Sequence, residues 1–117
     1  MKFFRCELHT HTTSSDGKMT PEELVDRALE CGYDAIALTD HNPVAGVERA
    51  VKAGKERGLT VLRGIEWTTF WGHFTVIGGK SDVLWRDINP DNVAEKIKRA
   101  QSCGDIVAIG HPRRMGY

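Results

Sequence analysis

Two histidines spaced two residues apart, His9 and His11, close the first apolar stretch of the chain, and Asp16 follows just beyond them. In an extended strand alternate side chains share a face, so this spacing aims both imidazoles at one point, where they can grip a single ion. A second apolar run, 35–38, stops at another donor pair, Asp40 and His41. A third run, 59–65, stops at Glu66, while His73 and His111 flank runs 74–77 and 106–109. All five histidines therefore sit at or beside strand mouths. Nitrogen and carboxylate donors without thiolate suit zinc, manganese or iron, and donor type alone does not choose among them. A carboxylate among several imidazoles is well made to bridge two cations, and Glu66, the only acidic residue at the end of its run, is assigned that bridge. Two cations ~3.5–4 Å apart polarise a phosphoryl or acyl oxygen and lower the pKa of a bound water toward ~7, which is most of what a hydrolase needs.

The elements that must position these groups are legible between them. Thr20 as N-cap, Pro21 at the first helical position and Glu23 three residues after the cap form a capping box, with Leu24, Val25, Ala28 and Leu29 as the buried stripe and Gly32 as the stop. Asn42-Pro43 predicts the opening of a second helix with Val44, Val47 and Val51 on one face, ending near Gly58. Asn89-Pro90 predicts a third, with Val93, Ile97 and Ala100 facing inward and Gly104 as the stop. Apolar runs alternating with helices predict an α/β fold of mostly parallel strands with flanking helices. The run 106–109 is apolar enough to be a buried parallel strand. In such folds the carboxyl ends of the strands converge on one edge, which would gather residues distant in sequence into one pocket.

Bulk properties narrow the setting. A chain of 117 residues is one domain without an internal boundary, well short of the ~250 residues of a complete eight-stranded α/β barrel. Lys+Arg and Asp+Glu both number 16, for a net charge of zero, so no global field recruits nucleic acid or an anionic membrane. Cys6, Cys31 and Cys103 form no CxxC pair and read as reduced, buried thiols in a cytoplasmic protein. Charges interrupt the first residues before a signal-peptide core or a spanning helix could form.

These motifs resemble the polymerase and histidinol phosphatase (PHP) superfamily of metal-dependent phosphoesterases. The resemblance rests on His9-Thr10-His11 with Asp16-Gly17 and the following Thr20-Pro21-Glu22-Glu23-Leu24, on Thr39-Asp40-His41-Asn42, on Gly64-Ile65-Glu66 with His73, and on Gly110-His111-Pro112. The wording of 66–73 further resembles the branch named for carbaryl-type ester hydrolases. The resemblance implies the N-terminal half of a distorted β/α barrel over 1–117. It also implies a site for two to three divalent transition metals (zinc, manganese or iron). One metal would be held by His9, His11 and Glu66, a second by Glu66, His73 and His111, and a third by Asp16 and His41, with Asp40 in or next to the ligand set. A later Asp-X-His motif that completes the family's first and third sites is absent through Tyr117.

The expected activity is hydrolysis of phosphoesters by a metal-bound hydroxide, with Glu66, Asp40 and Arg113 as the catalytic set. Arg113, Arg114 or Lys18 could contact phosphate. Trp67, Phe70 and Trp71 could wall an aromatic pocket or pack in a core. Carboxylic or carbamate ester hydrolysis on the same metals is the alternative within the enzyme class. A metal-binding half-barrel, inactive without the remaining strands or a second subunit, is the alternative outside it. The expected partner is a small phosphoester or ester, with no membrane, and with a homo-oligomer or the missing half of the barrel covering the open edge.

Overall fold

The computed structural model describes residues 1–41 and 44–112. Arg113 and Arg114, and the Asn42-Pro43 pair expected to open the second helix, lie outside the described residues. The chain folds as β1 (Cys6–Thr10), α1 (Pro21–Glu30), β2 (Ala35–Leu38), α2 (Val44–Arg57), β3 (Thr60–Thr69), β4 (Gly72–Ile77), a short 3₁₀ turn (Trp85–Asp87), α3 (Val93–Ser102) and β5 (Ile106–Pro112). The five strands form one sheet in sequence order, curved as a half-barrel with helices on its outer face.

Pairing in that sheet is mixed. β1 and β2 are parallel, as are β2 and β3, each pair joined by a helical crossover. β3 then changes partner along its length. Thr60 to Arg63 pair with β2, and from Gly64 onward the strand pairs antiparallel with β4. Gly64 stands at the change, where a Cβ would lie 2.9 Å from Thr39 Cγ2 and 3.0 Å from the Val76 carbonyl oxygen, so only glycine lets three strands meet this closely.

The cysteines are not buried as expected, Cys6 being exposed and Cys31 and Cys103 half-buried, and two strands also differ from expectation. The 106–109 run is not a buried parallel strand: β5 pairs antiparallel with β4 and leaves Ile106 and Ile109 exposed. The third run does not stop at Glu66 either, because the hairpin to β4 extends β3 to Thr69. Since β4 is reversed, its first residues share an edge with the last residues of the other four strands. That reversal brings His73, at the start of its strand, to the same edge as His111, near the end of its own.

α1 starts as its capping box dictates: the Thr20 hydroxyl accepts from Glu23 N at 3.2 Å, and Glu23 Oε2 accepts from Thr20 N at 2.8 Å. Leu24, Val25 and Ala28 pack with Val47, Ala50 and Ala53 of α2 over Ile36 and Leu38 of β2. A second cluster forms over β3 and β4 from Trp67, Val76, Ile88 and Ala100. α3 begins later than Asn89-Pro90 suggests, because Asn89 Oδ1 accepts from the backbone of Asp91 (2.9 Å) and Asn92 (3.1 Å). That side-chain turn competes with the helix and defers its start to Val93.

Candidate metal centre

Glu66 is the hub of the site. Its side chain is 1% exposed and points to the inner face, opposite Ile65 and Trp67, which turn toward the outer cluster. Oε2 lies 3.3 Å from His9 Nε2, 2.9 Å from His11 Nε2 and 3.4 Å from His41 Nε2; Oε1 lies 2.8 Å from His73 Nδ1 and 3.0 Å from His111 Nε2. One buried carboxylate thus faces five imidazoles, divided between its two oxygens.

Each imidazole owes its place to strand geometry. His9 and His11 project to one side from the end of β1, as their spacing requires. Gly110 leaves room for His9, whose Cε1 would be 3.4 Å from a Cβ there. His73 and His111 stand directly opposite one another across β4 and β5. His41 follows β2, with Nδ1 on the Thr68 hydroxyl. Three groups of donors could each hold an ion: His9, His11 and Glu66; Glu66, His73 and His111; and His11, Asp16 and His41. In the last, Asp16 lies 3.5 Å from His11 Nδ1 and 3.3 Å from His41 Nε2.

Asp40 is fully buried and occupied by the chain itself. Its Oδ1 accepts from Thr12 N at 2.7 Å and from the Ser15 hydroxyl at 2.5 Å, and its Oδ2 accepts from the Thr12 hydroxyl at 2.5 Å. The carboxylate thereby clamps the loop that carries His11 and Asp16. Gly17 closes the same loop, since a Cβ there would lie 2.3 Å from the His11 carbonyl oxygen. Thr12, Ser15 and Thr68 were not singled out by the sequence. Their only signal was a run of hydroxyl residues after the His-X-His pair and a threonine two positions past Glu66.

Electrostatics follow from this crowding. Burial alone would raise the Glu66 carboxyl, but hydrogen bonds from His73 and His9 and the nearby His41 and His9 rings outweigh it and hold it below its usual range. Burial lowers His11 against the opposing pull of Glu66 and Asp16. Asp16 is also lowered, with His11 and His41 overcoming a burial effect of opposite sign.

The donor set fits a cation. Among the described residues the buried His11 Nδ1 has no hydrogen-bond partner. His9 Nε2 and His11 Nε2 sit 3.1 Å apart while both face the same carboxylate oxygen. A single proton can serve only one of those contacts, whereas a cation satisfies all three donors at once.

Of the aromatic residues, Trp67 is 2% exposed in the outer cluster and belongs to the core. Phe70 and Trp71 form the exposed tip of the β3–β4 hairpin, their rings edge to face with centroids 4.9 Å apart. Lys18 is exposed on the loop after Gly17.

A family model, the PHP domain, matches residues 7–103. The 5'-3' exoribonuclease Rnm of Salmonella typhimurium is 35% identical over 105 residues, 87% of this chain and 36% of that protein. The 3',5'-nucleoside bisphosphate phosphatase of Chromobacterium violaceum is 41% identical over 70 residues, 60% of this chain and 25% of that protein. Among solved structures, a two-domain Bacteroides vulgatus protein containing a predicted PHP-like metal-dependent phosphoesterase superposes with a TM-score of 0.66. It is 25% identical, over 89% of this chain and 34% of that one. The chain thus spans a quarter to about a third of the length of these relatives.

Proposed function

The chain belongs to the PHP domain family, and on that premise we propose that it carries the N-terminal ligand set of a metal-dependent phosphoesterase acting at a multinuclear site. The observation that supports this most directly is Glu66, buried and turned toward His9, His11 and His41 with one oxygen and toward His73 and His111 with the other. In this reading Glu66 would hold two divalent cations, one with His9 and His11 and one with His73 and His111, and Asp16 and His41 would hold a third. When bound, such cations polarise a phosphoryl oxygen and acidify a coordinated water toward a pKa of ~7. The chain's own task is to hold neutral imidazoles and ionised carboxylates at fixed separations. Asp40 does so by locking the loop that carries His11 and Asp16.

For substrate we propose a small phosphoester, with nucleotides as the first class to assay. Two relatives are named for nucleotide phosphoester chemistry, and the exposed Phe70–Trp71 tip, beside His73 in the chain, offers a surface on which a planar base can stack. Parallel assays of a nucleotide monoester, an alkyl phosphate and a carboxylic ester, with metal content measured on the same preparation, test the reading. Turnover of the carboxylic ester alone would replace phosphoester chemistry with ester hydrolysis on the same ligands.

The open sheet favours a second reading, a half-site that needs other strands for activity. Among the described residues β5 is the last strand of the sheet, with Ile106 66% and Ile109 78% exposed. Apolar residues on an unpaired edge favour association. A second copy of the chain or further strands of a longer one would cover that edge.

A further inference from the structure

The ring of His41 has two nitrogens with different duties. Nε2 lies 3.3 Å from Asp16 Oδ2 and 3.4 Å from Glu66 Oε2, inside a donor group. Nδ1 meets the Thr68 hydroxyl. A neutral imidazole carries one proton, so Nε2 can offer a lone pair to a cation only if that proton sits on Nδ1. The Thr68 hydroxyl must then accept from Nδ1 and send its own proton elsewhere. An acceptor is at hand in the Glu66 carbonyl oxygen, 3.5 Å from Thr68 Oγ1.

We propose that Thr68 is a positioning residue for the metal centre: its hydroxyl accepts the His41 Nδ1 proton, fixing the tautomer and ring angle that turn the Nε2 lone pair toward Asp16 and Glu66. The placement follows from the strand. Thr68 is two residues past Glu66, so both side chains leave β3 on the inner face, and Thr68 stands directly opposite His73 in the β4 register. One strand therefore supplies the shared carboxylate and the group that orients a histidine from the neighbouring strand end. Outer partners of this kind are worth roughly 10–100-fold in metal affinity. The inference rests on the metal-site reading above.

The test compares wild type with Thr68→Val, which keeps the β-branched shape, and Thr68→Ser, which keeps the hydroxyl. Two-bond ¹H–¹⁵N spectra of the zinc-loaded chain report which ring nitrogen of His41 bears the proton, and the exchange rate of that proton with solvent reports whether a hydroxyl accepts it. Wild type and Thr68→Ser should show a slowly exchanging Nδ1 proton, and Thr68→Val should lose that protection. In zinc titrations Thr68→Val should bind one equivalent at least about tenfold more weakly while the remaining equivalents are unchanged, and Thr68→Ser should restore it. A zinc-loaded wild-type chain whose His41 bears its proton on Nε2, or a Thr68→Val chain equal to wild type in both measurements, would overturn the proposal. Failure of wild type to take up zinc would overturn the metal reading and this proposal with it, whereas zinc uptake that Thr68→Val leaves unchanged would overturn this proposal alone.

Discussion

His73 and His111 face each other across β4 and β5 with ring centroids 4.3 Å apart, and both turn a nitrogen to the same oxygen of Glu66. The other oxygen serves His9, His11 and His41. Glu66→Gln keeps the shape but removes the negative charge shared by both halves, so occupancy of both halves should fall together. Elemental analysis after reconstitution with zinc, manganese or iron is the measurement. Loss of a single equivalent would instead make Glu66 a terminal ligand of one ion.

The metal-free chain should lose stability progressively on acidification, for two reasons of the same sign. His11 titrates below its ordinary 6.5 in the fold, so the unfolded chain takes up the proton first, and stability declines as pH falls from 6.5 through the folded value. Glu66 titrates below its ordinary 4.5, so its contribution is complete above 4.5 and is lost as pH falls through its own folded value. Urea midpoints across that range should trace two stages, with His11→Gln removing the upper one. A flat profile between neutral pH and 4.5 would contradict the burial of His11.

Asp40 tests the clamp on the loop. Asp40→Ala leaves the Thr12 amide and the Thr12 and Ser15 hydroxyls without their acceptor, a loss of about 3 kcal/mol when such donors are buried. The melting temperature should drop, and the ions that depend on His11 or Asp16 should weaken more than the one held by Glu66, His73 and His111. Ser15→Ala, which removes one of the three bonds, should show a smaller version of both effects. Equal weakening of all ions would mean that Asp40 supports the fold broadly rather than this loop.

How far the sequence reveals the site depends on whether a residue's role is written in its own type and spacing. His9-X-His11 and the buried acid at Glu66 are legible because a strand's two-residue period and a lone carboxylate after an apolar run have few other uses. The capping box at Thr20 is legible for the same local reason, and α1 starts there. The reversal of β4 is not legible: an apolar run looks alike in either direction, and only the tight Phe70–Trp71 turn between β3 and β4 sets it. That turn also explains why Trp67 and Trp71, four residues apart, end in a core and at an exposed tip. Thr68 and Thr12 escape notice because a hydroxyl that orients a ligand has no spacing rule of its own.

Trp71→Ala should leave folding and metal uptake unchanged, because its side chain is 56% exposed and stands outside both core clusters. If the hairpin tip stacks on a planar leaving group, KM for a nucleotide or aryl phosphate should rise severalfold, in line with about 1 kcal/mol or more per stacked base. KM for an alkyl phosphate should hold steady. An equal rise for both substrates would assign the tip to general access rather than to selectivity.

The exposed edge of β5 leads to the last expectation. Ile106 and Ile109 are exposed on a strand that, among the described residues, has a sheet partner, β4, on one side only. Open backbone donors and acceptors beside apolar side chains are a template for pairing. The 117-residue chain should therefore self-associate in a concentration-dependent way by light scattering. Ile109→Lys should shift it toward monomer, because a lysine on an edge strand resists desolvation and repels its copy. Because Ile109 is already exposed, the substitution should leave the melting temperature of the monomer nearly unchanged, which separates loss of association from loss of fold. Restored or increased hydrolysis on adding the C-terminal strands of a longer relative in trans would show that the edge is a joint within one barrel. A monomer that turns over phosphoesters by itself would show instead that the five strands and their ligands are sufficient.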